Sequence, residues 1–214
     1  MKRNLIFIGI IVIILVVGTL IYYIARQRSE ISMPKKTLEG KKIVIITAFR
    51  DFRDEEYFVP KEILEEAGAE VKTASNQKGT AIGADGGEVE VDLLVSEINP
   101  VDFDAVVFIG GPGCLTNLDK EDSYKVAQET VSQNKVLASI CVSPVILAKA
   151  GVLEGKKVTV WSSPLDKSPI KILEDNGAIF ENKPVVIDGK IITGNGPDAA
   201  EEFGEKIKEL LTTL

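Results

Sequence analysis

Histidine is absent from this chain of 214 residues. No Ser-His or Cys-His catalytic pair can therefore form within it, and no imidazole metal site. Cysteine occurs only twice, as Cys114 and Cys141. Two thiols are too few for a disulfide framework, although one bridge between them stays open, and their spacing is not that of a zinc motif. Long basic stretches are missing too, and the net charge is −7. A nucleic-acid partner is not expected, because nothing here can track a phosphate backbone. The acidity is read as a solubility feature. No cofactor and no metal are expected.

One apolar run stands at the N-terminus. After a short tail, residues 1–4, Leu5 to Ile24 reads LIFIGIIVIILVVGTLIYYI and carries no charge. At about 1.5 Å per residue it spans about 30 Å, the thickness of a bilayer core. Tyr22 and Tyr23 lie at one end, where aromatic rings favour the interface. A cleaved signal peptide is the competing reading. Its apolar core is usually shorter, and Ala25-Arg26-Gln27-Arg28 is a poor cleavage site. The run is therefore expected to be a retained single-pass transmembrane helix that places the protein at a membrane. Lys2 and Arg3 on one flank balance Arg26 and Arg28 on the other, so the side of the membrane is not set. Residues 25–40 lack apolar periodicity, contain Pro34, and read as a linker.

The remainder, residues 41–214, reads as one domain of a size that buries a core without staples. Lys42–Thr47, Glu70–Ala74, Phe103–Ile109 and Val136–Ile140 are short apolar runs of the kind buried on both faces of a parallel sheet. Val89 to Leu94 begins with the alternation of a half-exposed strand, after a Gly-rich stretch from Gly79 to Gly87. Helices are expected over about Pro60–Ala67, Ser123–Gln133, Pro144–Ala150 and Ala199–Leu211. Pro60 marks the first turn of the first of these. Tyr124, Ala127 and Val131 are expected to face inward on the second. Val185 to Thr193 reads as a hairpin with Asp188-Gly189 as its turn. Strands alternating with helices give an α/β fold with a parallel sheet covered on both faces. Ligands of such sheets bind outside the carboxyl ends of the strands. Gly110, Gly111, Gly113 and Cys141 all fall at strand ends.

Cys141 sits between a buried strand and a helix start. Helix N-terminal amides favour a thiolate there, and a sharp turn exposes the side chain. A buried inert cysteine is an equal reading on position alone.

A resemblance separates the two. Ala138-Ser139-Ile140-Cys141-Val142-Ser143-Pro144, followed by Ala148 to Lys157, resembles the nucleophile-elbow region of the DJ-1/PfpI family. Phe52-Arg53-Asp54-Glu55-Glu56-Tyr57 with Pro60 resembles the loop that supplies that family's acidic residue. Phe103 to Gly111 resembles its Gly-Gly strand end, and Asp188 through Pro197 with the last helix its C-terminal part. The resemblance implies a flavodoxin-like, glutamine amidotransferase-like sandwich that self-associates as a dimer or larger homo-oligomer. It implies Cys141 as the reactive thiol, Glu56 as the acid beside it, with Glu55 the adjacent alternative, and the amides of Gly111 and Val142 as an oxyanion site. A carboxyl shielded beside a thiolate has its pKa raised and can move protons.

The chain departs from the family pattern where many members place His: Val142 follows the cysteine, and no His exists elsewhere. Amide hydrolysis needs a group to protonate the leaving amine, which disfavours a cysteine peptidase or amidase. The favoured expectation is a membrane-anchored, stress-related protein acting on small reactive carbonyls, glyoxalase- or deglycase-like, through Cys141 and Glu56. The non-catalytic alternative is a redox-sensing or protective thiol oxidised to a sulfinate. Cys114 is either a resolving partner or a small loop filler. Trp161 either lines the pocket or packs in the core.

Overall fold

A computed structural model describes residues 15–24 and 37–214. The chain divides into two compact units, Met1–Lys35 and Lys36–Leu214. In the first, residues 15–24 are helical and form the second half of the apolar run. Residues 5–14 lie outside the described residues. Among the described residues no helix is long and apolar enough to cross a membrane, so the expected transmembrane helix is not found there. Residues 25–36 of the expected linker also lie outside the described residues. Its last residues are part of the second unit: Leu38 is fully buried, and its amide donates to the Ala67 carbonyl at 2.8 Å. Burying one leucine contributes about 2 kcal/mol, enough to dock a turn that carries no periodic signal.

The second unit is built on seven strands. These are β1 (Lys42–Ile46), β3 (Glu70–Ser75), β6 (Leu93–Leu94), β7 (Ala105–Phe108), β8 (Val136–Ile140), β11 (Val185–Asp188) and β12 (Ile191–Gly194). They lie in the order β11-β12-β8-β7-β1-β3-β6. Every pairing is parallel except the β11–β12 hairpin. The strands are β-branched and buried because both faces are covered. Val44 and Ile46 of β1, Val106 and Phe108 of β7 and Leu137 of β8 point into one core. Ile43, Ile45, Val107, Val136, Ala138 and Ile140 point into the other. The second core is closed by α1 (Asp54–Glu66) and α6 (Ala200–Thr213) through Tyr57, Leu64, Phe203, Ile207 and Leu211. The first is closed by α3 (Glu121–Ser132) and α4 (Pro144–Lys149). The α/β sandwich read from the sequence is the observed class.

Several local readings are corrected. Helix α1 begins six residues before Pro60, which lies inside it. Pro60 cannot donate to the carbonyl of Glu56 four residues back, so it reads as a helix start although the helix runs through it. Its Cα sits where a methyl on Gly204 of α6 would come within 2.9 Å, so the two helices meet here with only hydrogen between them. Helix α3 buries Ser123, Val126, Ala127 and Thr130, while Val131 is exposed. Thr130 turns inward because its hydroxyl donates to the Val126 carbonyl at 2.6 Å, which removes its polar cost. The hairpin turn is Gly189-Lys190, since Asp188 pairs with Ile191. The Gly-rich stretch after β3 contains β4 (Gly79–Gly83), and with β2 (Arg50–Phe52) and β5 (Glu88–Val91) it forms a separate small sheet, while β9 (Lys157–Val158) and β10 (Ile179–Phe180), with α5 (Ser168–Asp175) between them in the chain, form a two-stranded one.

Candidate active site

Three neighbouring strands of the main sheet deliver the site. Phe108 of β7 lies opposite Ile46 of β1 and Ser139 of β8. Two residues further along each parallel neighbour, Gly110 and Cys141 fall side by side on the same face. The chain leaving β1 crosses the same end and enters α1, whose first turn carries Asp54, Glu55 and Glu56. This is also where connections switch sides, β3 lying on one flank of β1 and β7 on the other. Such a switch point is the usual place for a ligand crevice.

Helical spacing separates the three acids. Asp54 faces the β4–β5 turn and accepts from the amides of Asp85 at 2.9 Å and Gly87 at 2.6 Å. Glu55 is exposed. Glu56 is fully buried, and its Oε2 accepts from the Gly110 amide at 3.1 Å. The structure thus brings Glu56, and not Glu55, to Cys141. A methyl on Gly110 would overlap Cys141 Cβ and lie 2.8 Å from Glu56 Oε2 and 3.0 Å from Cys141 Sγ. Glycine at 110 therefore lets acid and thiol share one space.

Among the described residues Cys141 is one of three non-glycine residues with positive φ, at +65°. The left-handed turn is held from both sides. Its amide donates to the Gly194 carbonyl at 2.9 Å, and its carbonyl accepts from the Trp161 amide at 2.8 Å. Ser143 fixes the turn from within. The Ile140 amide donates to its Oγ at 3.0 Å, and Oγ stands 2.9 Å from the Phe108 carbonyl and 2.7 Å from that of Ile140. The amides of Gly111 and Val142 lie near the sulfur and act to lower the thiol's pKa, and neither donates to a backbone carbonyl among the described residues. Both positions expected at the oxyanion site thus present a free donor.

Burial pushes the Glu56 carboxyl up to about 7, against lowering by contact with Cys141, by the Gly110 amide and by the charge of Arg53. Burial also pushes the Cys141 thiol up to about 12, with the Glu56 charge acting in the same direction and the amides of Gly111 and Val142 against it. Glu56 Oε1 is buried and has no hydrogen-bond partner of ordinary geometry among the described residues. Near neutrality the pair holds its protons as a unit, and Glu56 is poised to take one or give one.

The site opens into a cavity of about 300 Å³ whose wall includes Arg53, Gly111, Leu115, Val142, Trp161 and Cys141. Trp161 is therefore a pocket residue. Cys114 is not drawn into this space. It starts α2 (Cys114–Leu118), is fully buried in the core on the other face of the sheet, and is a free thiol. Among the described residues no cluster of Cys, Asp and Glu is arranged to hold a metal. Two functional positions escape the sequence reading. Ser143 resembles a helix N-cap before Pro144, but its hydroxyl ties two strand ends and makes no cap bond. Arg53 adjoins the acidic cluster, and only the fold turns it to the cavity.

Known proteins resemble this chain in sequence and in fold. The deglycase PfpI of Pyrococcus furiosus is 35% identical over 156 residues, covering 73% of this chain and 90% of its own. A protein of Methanocaldococcus jannaschii is 37% identical over 174 residues, 81% of this chain and 83% of its own. The ThiJ/PfpI domain protein of Brachyspira murdochii superposes with a TM-score of 0.77 at 36% identity, over 82% of this chain and 99% of that one. The family model described as "DJ-1/PfpI family" matches residues 41–210, and the chain belongs to that family.

Proposed function

We propose that this protein is a cysteine-dependent enzyme of small reactive carbonyls, glyoxalase- or deglycase-like in its chemistry. The observation that carries the reading is the joint placement of a buried thiol, a carboxyl with a pKa of about 7 and two free amides at the mouth of a small, largely apolar cavity. Relatives named deglycases support it. Sulfur of Cys141 adds to the aldehyde carbon, and the carbonyl π pair becomes an oxyanion within reach of the Gly111 and Val142 amides. Glu56 takes the thiol proton and delivers it to that oxygen, giving a hemithioacetal. With a 2-oxoaldehyde, Glu56 then moves the proton on C1 to C2 through an enediol, leaving a thioester. Water cleaves the thioester, which frees the thiol and a 2-hydroxy acid. With a free 2-oxoaldehyde no oxidant is consumed and no amine must leave, so the absent histidine is less costly here than in peptide hydrolysis.

The test is methylglyoxal consumption by the full chain in detergent beside Cys141→Ala. Turnover by the first and its loss, by about 1,000-fold or more, in the second is the expected result. Equal rates in the two would remove the enzymatic reading and favour the redox thiol.

The apolar run Leu5–Ile24 is proposed as a membrane anchor on the strength of its length and lack of charge. An anchored chain stays with membranes through alkaline washing, and release into the wash would end that part of the proposal. Self-association of the domain is likewise proposed from the family resemblance.

A further inference from the structure

Among the described residues Arg53 is the one charged residue on the wall of the cavity, the other lining side chains being apolar apart from the thiol. It immediately follows β2 and caps the start of α1, so it is fixed to the element that carries Glu56. Its amide donates to the Gly110 carbonyl at 3.2 Å, which ties its backbone to the reactive rim. Its charge reaches Glu56. The guanidinium is partly buried and pairs through one nitrogen, Nη1, with Asp85 Oδ2 at 3.1 Å. No acceptor occupies Nε or Nη2 among the described residues. The Asp85 carboxylate is more than half exposed, so that ion pair is weak and resists a competing anion little.

An unsaturated guanidinium beside an apolar cavity is a receptor for a planar anion, and a carboxylate matches its fork. A substrate whose aldehyde carbon lies at Cys141 Sγ has its carbonyl oxygen at the two amides. Its remaining substituent must run along Leu115, Val142 and Trp161 or toward Arg53. Methylene groups suit the first surface and a carboxylate the second. We propose, resting on the reaction argued above, that the site is selective for 2-oxoaldehydes that carry a carboxylate at the far end of a short chain, with Arg53 as the residue that binds it. The net reaction is unchanged: the oxoaldehyde and one water give a 2-hydroxy dicarboxylate.

Two readouts separate this inference from the reaction itself. The first is kcat/KM of the full chain for 4,5-dioxopentanoate relative to methylglyoxal, in the natural chain, Arg53→Gln and Arg53→Lys. The natural chain should prefer the carboxylate by about 10-fold or more. Arg53→Gln should bring the ratio to about one, mainly through KM, and Arg53→Lys should restore part of it. A ratio that does not move in Arg53→Gln overturns the assignment while leaving the reaction standing. The second readout needs no turnover. Trp161 is the single tryptophan of the chain and lines the cavity, so its emission reports occupancy. Glutarate, which has no aldehyde, should shift that emission saturably in the natural chain and in Cys141→Ala, and about 10-fold more weakly in Arg53→Gln. If neither aldehyde is consumed, this titration still decides the matter: the expected shift supports Arg53 as the anion receptor, and an equal or absent shift in all three proteins overturns it.

Discussion

Glu56→Gln should abolish turnover and at the same time make the protein more stable at pH 8. The two effects have one cause. The carboxyl is fully buried, and burial lifts its pKa from an ordinary 4.5 to about 7. Between those values the folded protein holds a proton that the unfolded chain has released. Stability therefore falls as pH rises through that window, and it is highest for this group below pH 4.5. Once Glu56 is ionised, the penalty is about 3 kcal/mol. Glutamine is neutral at every pH, can accept from the Gly110 amide as Oε2 does, and fits the same space. It cannot take or give the proton. Urea unfolding at pH 4.5 and pH 8 should show the natural chain losing about 3 kcal/mol relative to Glu56→Gln, with methylglyoxal turnover down by about 100-fold or more. Parallel pH dependence in the two proteins would mean that the carboxyl is not held in the way described.

Gly111→Ala carries the second large effect, and this one is structural. Gly111 has φ of +109°, a conformation that L side chains rarely adopt. An added methyl would overlap the Arg53 amide nitrogen and lie 2.7 Å from the Asp51 carbonyl oxygen. Those are backbone atoms, so no rotamer relieves the overlap. The strand end must move away from the start of α1, which breaks the Arg53 amide to Gly110 carbonyl bond and turns the Gly111 donor off the sulfur. Backbone strain and overpacking together should cost about 3 kcal/mol or more. A thermal melt and urea titration would show it, and an unchanged midpoint would contradict the close approach of these two loops. Activity should fall further than stability alone accounts for, because the proposed mechanism uses the Gly111 amide as an oxyanion donor.

These effects concentrate where sequence and structure agree best. Strands β1, β7 and β8 are legible because a strand covered on both faces must be a short β-branched run, and a helix cannot be substituted for it at that length. Cys141 is legible because it falls between such a run and a helix start. The acid is less so. Glu55 and Glu56 are neighbours, and what separates them is the phase of α1, which the sequence hides behind Pro60. Once the helix is known to start at Asp54, the third acid faces the sheet and the second faces water. Arg53 and Ser143 stand within the family-like motifs, where the sequence alone assigns them no role. Their contacts are to carbonyls, an acid and a cavity wall brought from other segments, and no local pattern encodes them. The small sheet of β2, β4 and β5 is faint for another reason. β5 keeps the alternation of a half-exposed strand, but β2 has three residues and β4 is glycine-rich, so neither of these carries a periodic signal.

The left-handed turn at Cys141 also sets backbone comfort against side-chain packing at position 141. A cysteine there bears a backbone cost, of order 1 kcal/mol, that glycine would not. Cys141→Gly would relieve that cost and at the same time leave a small void in the core that the side chain helps to fill, so the two effects on stability oppose each other.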